Sequence, residues 1–180
     1  MQMNLFQIPI YICNIDVNKI KINNKDFKKT WFSKTLSSHN FPNQLEENDT
    51  IYLLQTIAKE LSSNIKEAFH IKLHSIWENI YGKDDYQEKH VHPGSHFSFI
   101  IYKDVKESNT VFINPADKLI ASYYSDPDIK LFNLSFIPEC RSGQMIIFPS
   151  FLEHMVLKHS NSVTIAGNVI IEAHKQKIQS

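Results

Sequence analysis

The sequence predicts an antiparallel β sandwich or jelly roll with a helix laid over one outer face. Three observations carry that expectation. Beyond residue 70 the chain breaks into seven short runs rich in β-branched and aromatic residues. Turn residues separate the runs, and no helical periodicity alternates with them, which disfavours a parallel α/β sheet. Ahead of them stands one amphipathic segment long enough for a single helix.

In chain order, an opening strand is expected over residues 5–12. Residues 14–48 are polar and irregular, with Trp31, Phe32, Phe41 and Pro42 expected to anchor them on the core. From Asp49 or Thr50, which would cap the helix, Tyr52, Leu53, Ile57, Leu61, Ile65 and Phe69 recur at three- and four-residue spacing. That predicts a helix to about Ala68. The expected strands then cover residues 71–81, 97–103, 110–113, 119–124, 131–137, 144–148 and 163–172. Gly82, Pro93-Gly94, Pro115, Asp126-Pro127 and Ser142-Gly143 punctuate them. We expect one domain over 1–180, with strand, loop and covering helix in 1–70 and the jelly-roll core in 71–173.

Composition narrows the function classes. Nineteen basic residues balance nineteen acidic ones, so no net field draws the chain to nucleic acid or an anionic membrane. Two cysteines, Cys13 and Cys140, are too few for a disulfide framework, and no apolar run approaches the roughly 20 residues that span a bilayer. The N-terminus lacks the basic and apolar regions of a signal peptide. A cytoplasmic location is the expectation, with the oligomeric state, a homodimer included, left open.

The histidines carry the chemistry. His90, His92 and His96 cluster in EKHVHPGSHFSF. In a strand, residues two apart share a face, so His90 and His92 can present two imidazoles to one ion. A third ligand can come from His154 in GQMIIFPSFLEH, where a buried strand, a proline turn and a histidine follow one another. An early strand ending in HxH and a late one beginning with His meet at the mouth of a jelly roll. Imidazole nitrogens suit iron, zinc, copper or nickel. His39, His70, His74, His159 and His174 fit no such pattern and read as surface or packing residues.

With these elements in order, WENIYGKDDYQEKHVHPGSHFSFIIYKD, NPAD, PECRSGQMIIFPSFLEHMV and SVTIAGNVI, together with the opening LFQIPIY, the sequence resembles the small 2-oxoglutarate/iron(II) oxygenases of bacterial and viral genomes. The resemblance covers nearly the whole chain and is densest from Trp77 to Asn168. It implies a double-stranded β-helix with iron at its open end, ligated by His90 and His154. It further implies 2-oxoglutarate as cosubstrate, O2, and hydroxylation of a small molecule or a peptide side chain. His92 stands where the wider superfamily has a carboxylate, which leaves a three-histidine site or a two-histidine site. The three-histidine set of His90, His92 and His154 is favoured as metal-binding and catalytic. Gln87 and Glu88 are placed to fix an imidazole tautomer.

A second departure concerns the cosubstrate. Ser162 stands where the family has a basic residue that pairs with the far carboxylate of 2-oxoglutarate. Tyr102, Lys103, Thr164 and Lys158 are the candidates to take its place, and Asn168 is expected to face the barrel interior. The same HxH and GQMIIFPSFLEH elements also resemble cupins, some of which hold iron by three histidines without 2-oxoglutarate. The glutamate that cupins place after HxH is absent, because Gly94, Ser95 and His96 stand there. A non-catalytic jelly-roll binding module is the remaining alternative. Trp31 and Trp77 read as core, Asn114-Pro115 as a turn, Glu153 and Lys158 as solvated, and Cys140 as a structural thiol.

Overall fold

The computed structural model describes residues 7–23, 26–29, 35–123, 132–158 and 161–173. Leu5, Phe6, Trp31, Phe32, Asp126-Pro127, Leu131, His159 and His174 lie outside them. The strands are β1 Tyr11–Asn14, β2 Lys28–Lys29, β3 Leu36–Ser37, β4 Phe69–Tyr81, β5 Gln87–His90, β6 Phe97–Asp104, β7 Thr110–Ile113, β8 Ser135–Phe136, β9 Gln144–Pro149, β10 His154–Val156 and β11 Ser162–Ala173. Two helices, α1 Glu47–Leu61 and α2 Asp117–Tyr123, and a 3-10 turn, Val17–Lys19, complete the described structure.

Every strand pair is antiparallel, and the strands form two sheets. One runs β1-β9-β6-β11-β4-β3-β2, and the smaller runs β5-β10-β7-β8. The long central strands of the larger sheet are apolar on both faces because both are covered. On β6, Phe99 and Ile101 join the core beneath α1, whereas Ile100 and Tyr102 point between the sheets. On β9 the same alternation sends Met145 and Ile147 outward to that core and Ile146 and Phe148 inward. Leu53, Ile57 and Leu61 of α1 are fully buried on the outer face of the large sheet. The expected cover helix is there.

Gly167 marks the closest approach within β11. A Cβ at this position would lie 2.4 Å from Phe99 Cζ and 2.6 Å from the Ser75 carbonyl oxygen, so only hydrogen fits. At the edge of the fold Gly94 and Gly143 take φ +82 and +84, the left-handed region that turns after β5 and before β9 require.

The structure corrects several local expectations. The helix starts two or three residues earlier than Asp49 or Thr50 and stops at Leu61, short of Ala68. Thr50 lies inside its first turn, donating both its N–H and its hydroxyl to the Glu46 carbonyl, so it does not cap. Ser62 and Ser63 turn their hydroxyls back to Lys59 and Glu60 carbonyls as the helix ends. Ile65 and Phe69 still pack on the same core, because burial needs them on that side whatever the backbone does. Residues 119–124, expected as a strand, belong mostly to α2. Asn114 Oδ1 accepts the Ala116 N–H and the Asn114 carbonyl accepts the Asp117 N–H, which turns the chain into a helix. The expected strand at 131–137 shrinks to Ser135–Phe136, with Leu134, Phe136 and Ile137 exposed. Pro42 is exposed and Phe41 only half-buried, whereas Ile15 and Ile20 anchor the irregular segment.

Candidate metal centre

The backbone ladder brings the first two histidines together. β5 ends at His90 and β10 begins at His154, and these two residues face each other across the β5–β10 pair. His92 lies beyond the strand end, so the strand alternation expected for HxH does not place it. Instead its N–H donates to the Ser150 carbonyl at 2.9 Å, and its ring stacks on Trp77 with centroids 5.6 Å apart. Val91, between the two histidines, is exposed.

The three imidazoles converge. One ring nitrogen from each of His90, His92 and His154 lies within 4.8 Å of the other two, and His92 Nε2 sits 3.2 Å from His154 Nε2. His154 Nδ1 donates to the Leu152 carbonyl at 3.0 Å, and His90 Nδ1 to the Glu88 carbonyl at 2.7 Å. A carbonyl accepts only, so each Nδ1 carries the proton and each Nε2 keeps a lone pair. Among the described residues no carboxylate joins the group.

Burial keeps these rings neutral. It pushes His92 down to about 3, helped by His90 and His39 nearby. Burial also holds His154 well below the ordinary histidine range, with repulsion from His90 and His92 adding to it. His90 is lowered chiefly by burial, against the pull of its bond to Glu88. Neutral imidazoles that converge at a part-buried site are the donor set of a transition metal.

The remaining candidates divide. Tyr102, Ser162 and Thr164 are buried and line an inner cavity of about 30 Å³ together with the three histidines. Lys103 points to the other face of β6, where its Nζ bonds Glu78 Oε1 at 2.7 Å, and Lys158 is exposed with its Nζ 5.9 Å from the Tyr86 ring centroid. Asn168 does not enter the inner cavity. Its Oδ1 accepts from Ser98 at 2.8 Å and its Nδ2 donates to Ser75 at 2.9 Å, beneath an outer groove. Glu88 fixes His90 through its backbone rather than its carboxylate, and Gln87 accepts from the Tyr81 hydroxyl. His96 leaves the cluster it forms in sequence: its Nδ1 accepts the Ile171 N–H beside the β11 bulge. Cys140 is buried and its thiol is pushed up to about 11 by burial, so it stays protonated.

Sequence reasoning missed the outer groove. It encloses about 570 Å³ beside His90 and His92, and His39, His74 and Trp77 line it. His39 sets its edge against Trp77 at 4.6 Å. The pattern that would have signalled this is spatial: β3 lies beside β4, which no local spacing reveals.

The sequence model of a family described as putative 2OG-Fe(II) oxygenase matches residues 75–166, just over half of the chain and all three histidines. No curated protein matches. Among solved structures, HygX from Streptomyces hygroscopicus with nickel, 2-oxoglutarate and hygromycin B bound superposes with TM-score 0.52 at 10% identity. The alignment covers 90% of this chain and 82% of that one. HygX with nickel and 2-oxoglutarate gives 0.51 over the same shares at 10% identity. A Pseudomonas putida prolyl-4-hydroxylase gives 0.49 at 12% identity, over 77% of this chain and 73% of that one. At such identities the HygX likeness carries the fold, a double-stranded β-helix.

Proposed function

Because the chain belongs to the putative 2OG-Fe(II) oxygenase family, we propose that it hydroxylates a small molecule or a peptide side chain at a centre held by His90, His92 and His154. It is an oxygenase-type oxidoreductase whose cofactors are iron(II) and 2-oxoglutarate and whose partners are O2 and a substrate. The observation that carries the ligand assignment is the fixed tautomer of His90 and His154. With both Nδ1 protons committed to carbonyls, the Nε2 lone pairs have no proton of their own and converge with His92. His92 Nε2–H donates to the His154 Nε2 lone pair at 3.2 Å, and a cation takes the place of that shared proton, so the residues present fit the metal.

When bound, iron(II) with 2-oxoglutarate supplies the oxidation of a C–H bond by O2. The chain's own residues bind and orient. Leu152 and Glu88 carbonyls fix two imidazole planes and raise their basicity, and the Trp77 indole fixes the third. Three neutral ligands leave the ion its full double charge, which strengthens its hold on the near carboxylate of the 2-oxo acid. The hydroxyls of Tyr102, Ser162 and Thr164 line the cavity behind the ligands and receive the rest of that molecule. The outer groove, with His39, His74 and Trp77, admits substrate to the open side. Asn168, bonded at both ends, ties β11 to β4 and β6 beneath the groove and so positions rather than binds.

Anaerobic titration of metal-stripped protein with iron(II), followed by O2-dependent succinate formation, tests this reading. Stoichiometric iron binding with succinate release is expected. Iron binding that survives His154→Ala unchanged would overturn the ligand set.

A further inference from the structure

The inner cavity behind the imidazoles is polar without being charged. Tyr81 donates to Gln87 Oε1 at 2.8 Å, Tyr102 donates to Thr110 Oγ1 at 3.1 Å, and Ser108 donates to the Tyr102 hydroxyl at 3.0 Å. Among the described residues neither lysine nor arginine lines it, and the single charged one that does is Glu107, exposed at its rim and of the wrong sign for an anion. One acceptor stands out. Asn79 is 2% exposed and lines this cavity, and its Oδ1 has no hydrogen-bond partner among the described residues.

Resting on the reading above, that this cavity receives the 2-oxo acid, we propose that it holds the far end of that molecule by neutral hydrogen bonds alone. It therefore accepts a 2-oxo acid ending in a carboxamide, 2-oxoglutaramate, at least as well as it accepts 2-oxoglutarate. A carboxylate taken into a water-poor cavity loses hydration that only a counter-charge or several strong donors restore. Here the hydroxyls of Tyr81, Tyr102 and Ser108 already spend their protons within the cavity wall. A carboxylate also offers no hydrogen to Asn79 Oδ1, and two acceptor oxygens side by side repel. A primary amide brings two N–H donors and a carbonyl, which satisfies Asn79 and accepts from a neighbouring hydroxyl. Burial holds the Tyr81 and Tyr102 hydroxyls far above the ordinary phenol range, which agrees with a cavity that disfavours negative charge. In water the open amide closes to a five-membered lactam, so the far end is isolated with N-oxalylglycine and N-oxalylglycinamide, which do not close and present the same oxalyl end to the metal.

The test is calorimetric titration of nickel-loaded protein with N-oxalylglycine, the diacid, and with N-oxalylglycinamide, the amide, read as binding rather than turnover. The expected result is an amide that binds as tightly as the diacid or more tightly. A diacid preference of more than two-fold overturns the proposal while leaving the metal centre standing. Absence of nickel binding in the same experiment overturns the reading it rests on, and the proposal with it. In Asn79→Leu protein that keeps its nickel affinity, the amide is expected to weaken at least five-fold and the diacid by less than two-fold. Equal weakening of both overturns the role of Asn79.

Discussion

His154 is the residue on which the centre turns. It is 2% exposed, its Nδ1 is committed to Leu152, and its Nε2 meets both other imidazoles. His154→Ala removes one of three donors and leaves two on a strand end and a loop. Nickel or iron affinity should fall at least 100-fold, measured by titration of metal-stripped protein, with the far-ultraviolet spectrum unchanged. Acid should also act through these residues. The unfolded chain takes up protons near pH 6.5, whereas burial keeps His92 neutral down to about 3. Between those values the unfolded state binds more protons, so stability is full above about pH 6.5 and falls as the pH drops. For His92 alone the loss between pH 7 and 5 is about 2 kcal/mol. A urea series on metal-free protein at both pH values checks it, and His92→Gln should remove that share.

At the scale of elements, β11 is the least forgiving strand, since it pairs with β4 on one side and β6 on the other. Gly167→Ala puts a methyl into Phe99 and the Ser75 carbonyl, and should cost about 2 kcal/mol or more, read as a lower urea midpoint. The strands that carry an apolar run on both faces were legible from sequence: the expected 71–81, 97–103, 144–148 and 163–172 lie within β4, β6, β9 and β11, and 110–113 coincides with β7. The elements misread were those whose apolar residues are exposed or local. Leu119 is 61% exposed in α2, so its apolar character marked no buried strand. Its helix begins with side-chain bonds of Asn114, which spacing does not record.

For the molecule as a whole, the metal centre spans the β5–β10 pair and the turn that leads into the large sheet. A ligand that binds only the folded state adds about 2.7 kcal/mol at a hundred-fold excess over its Kd. For a chain of this length that raises Tm by roughly 5–10 °C. Nickel should therefore shift the melting curve of the wild type by this amount and leave His154→Ala unmoved. Opening of the outer groove is a property of the same scale. His39→Ala, on β3's side of the groove, should lower substrate turnover while iron affinity stays within two-fold. No described helix is long and apolar enough to cross a membrane.

The antiparallel class, the covering helix, the family resemblance and the meeting of His90 with His154 were legible in short stretches of sequence. These follow from periodicity and from motifs that hold within short stretches, because strand alternation and turn chemistry act between near neighbours. Tertiary structure decided what depends on residues far apart in the chain. It took His92 past the strand end and fixed it through Ser150 and Trp77, and it sent His96 to the β11 bulge. It turned Lys103 to the opposite face of β6 and joined Ser162, Thr164, Tyr102 and Asn79 around one uncharged cavity. Which side chains share a cavity is set by how the two sheets stack and register, and that is a property of the assembled core rather than of any segment.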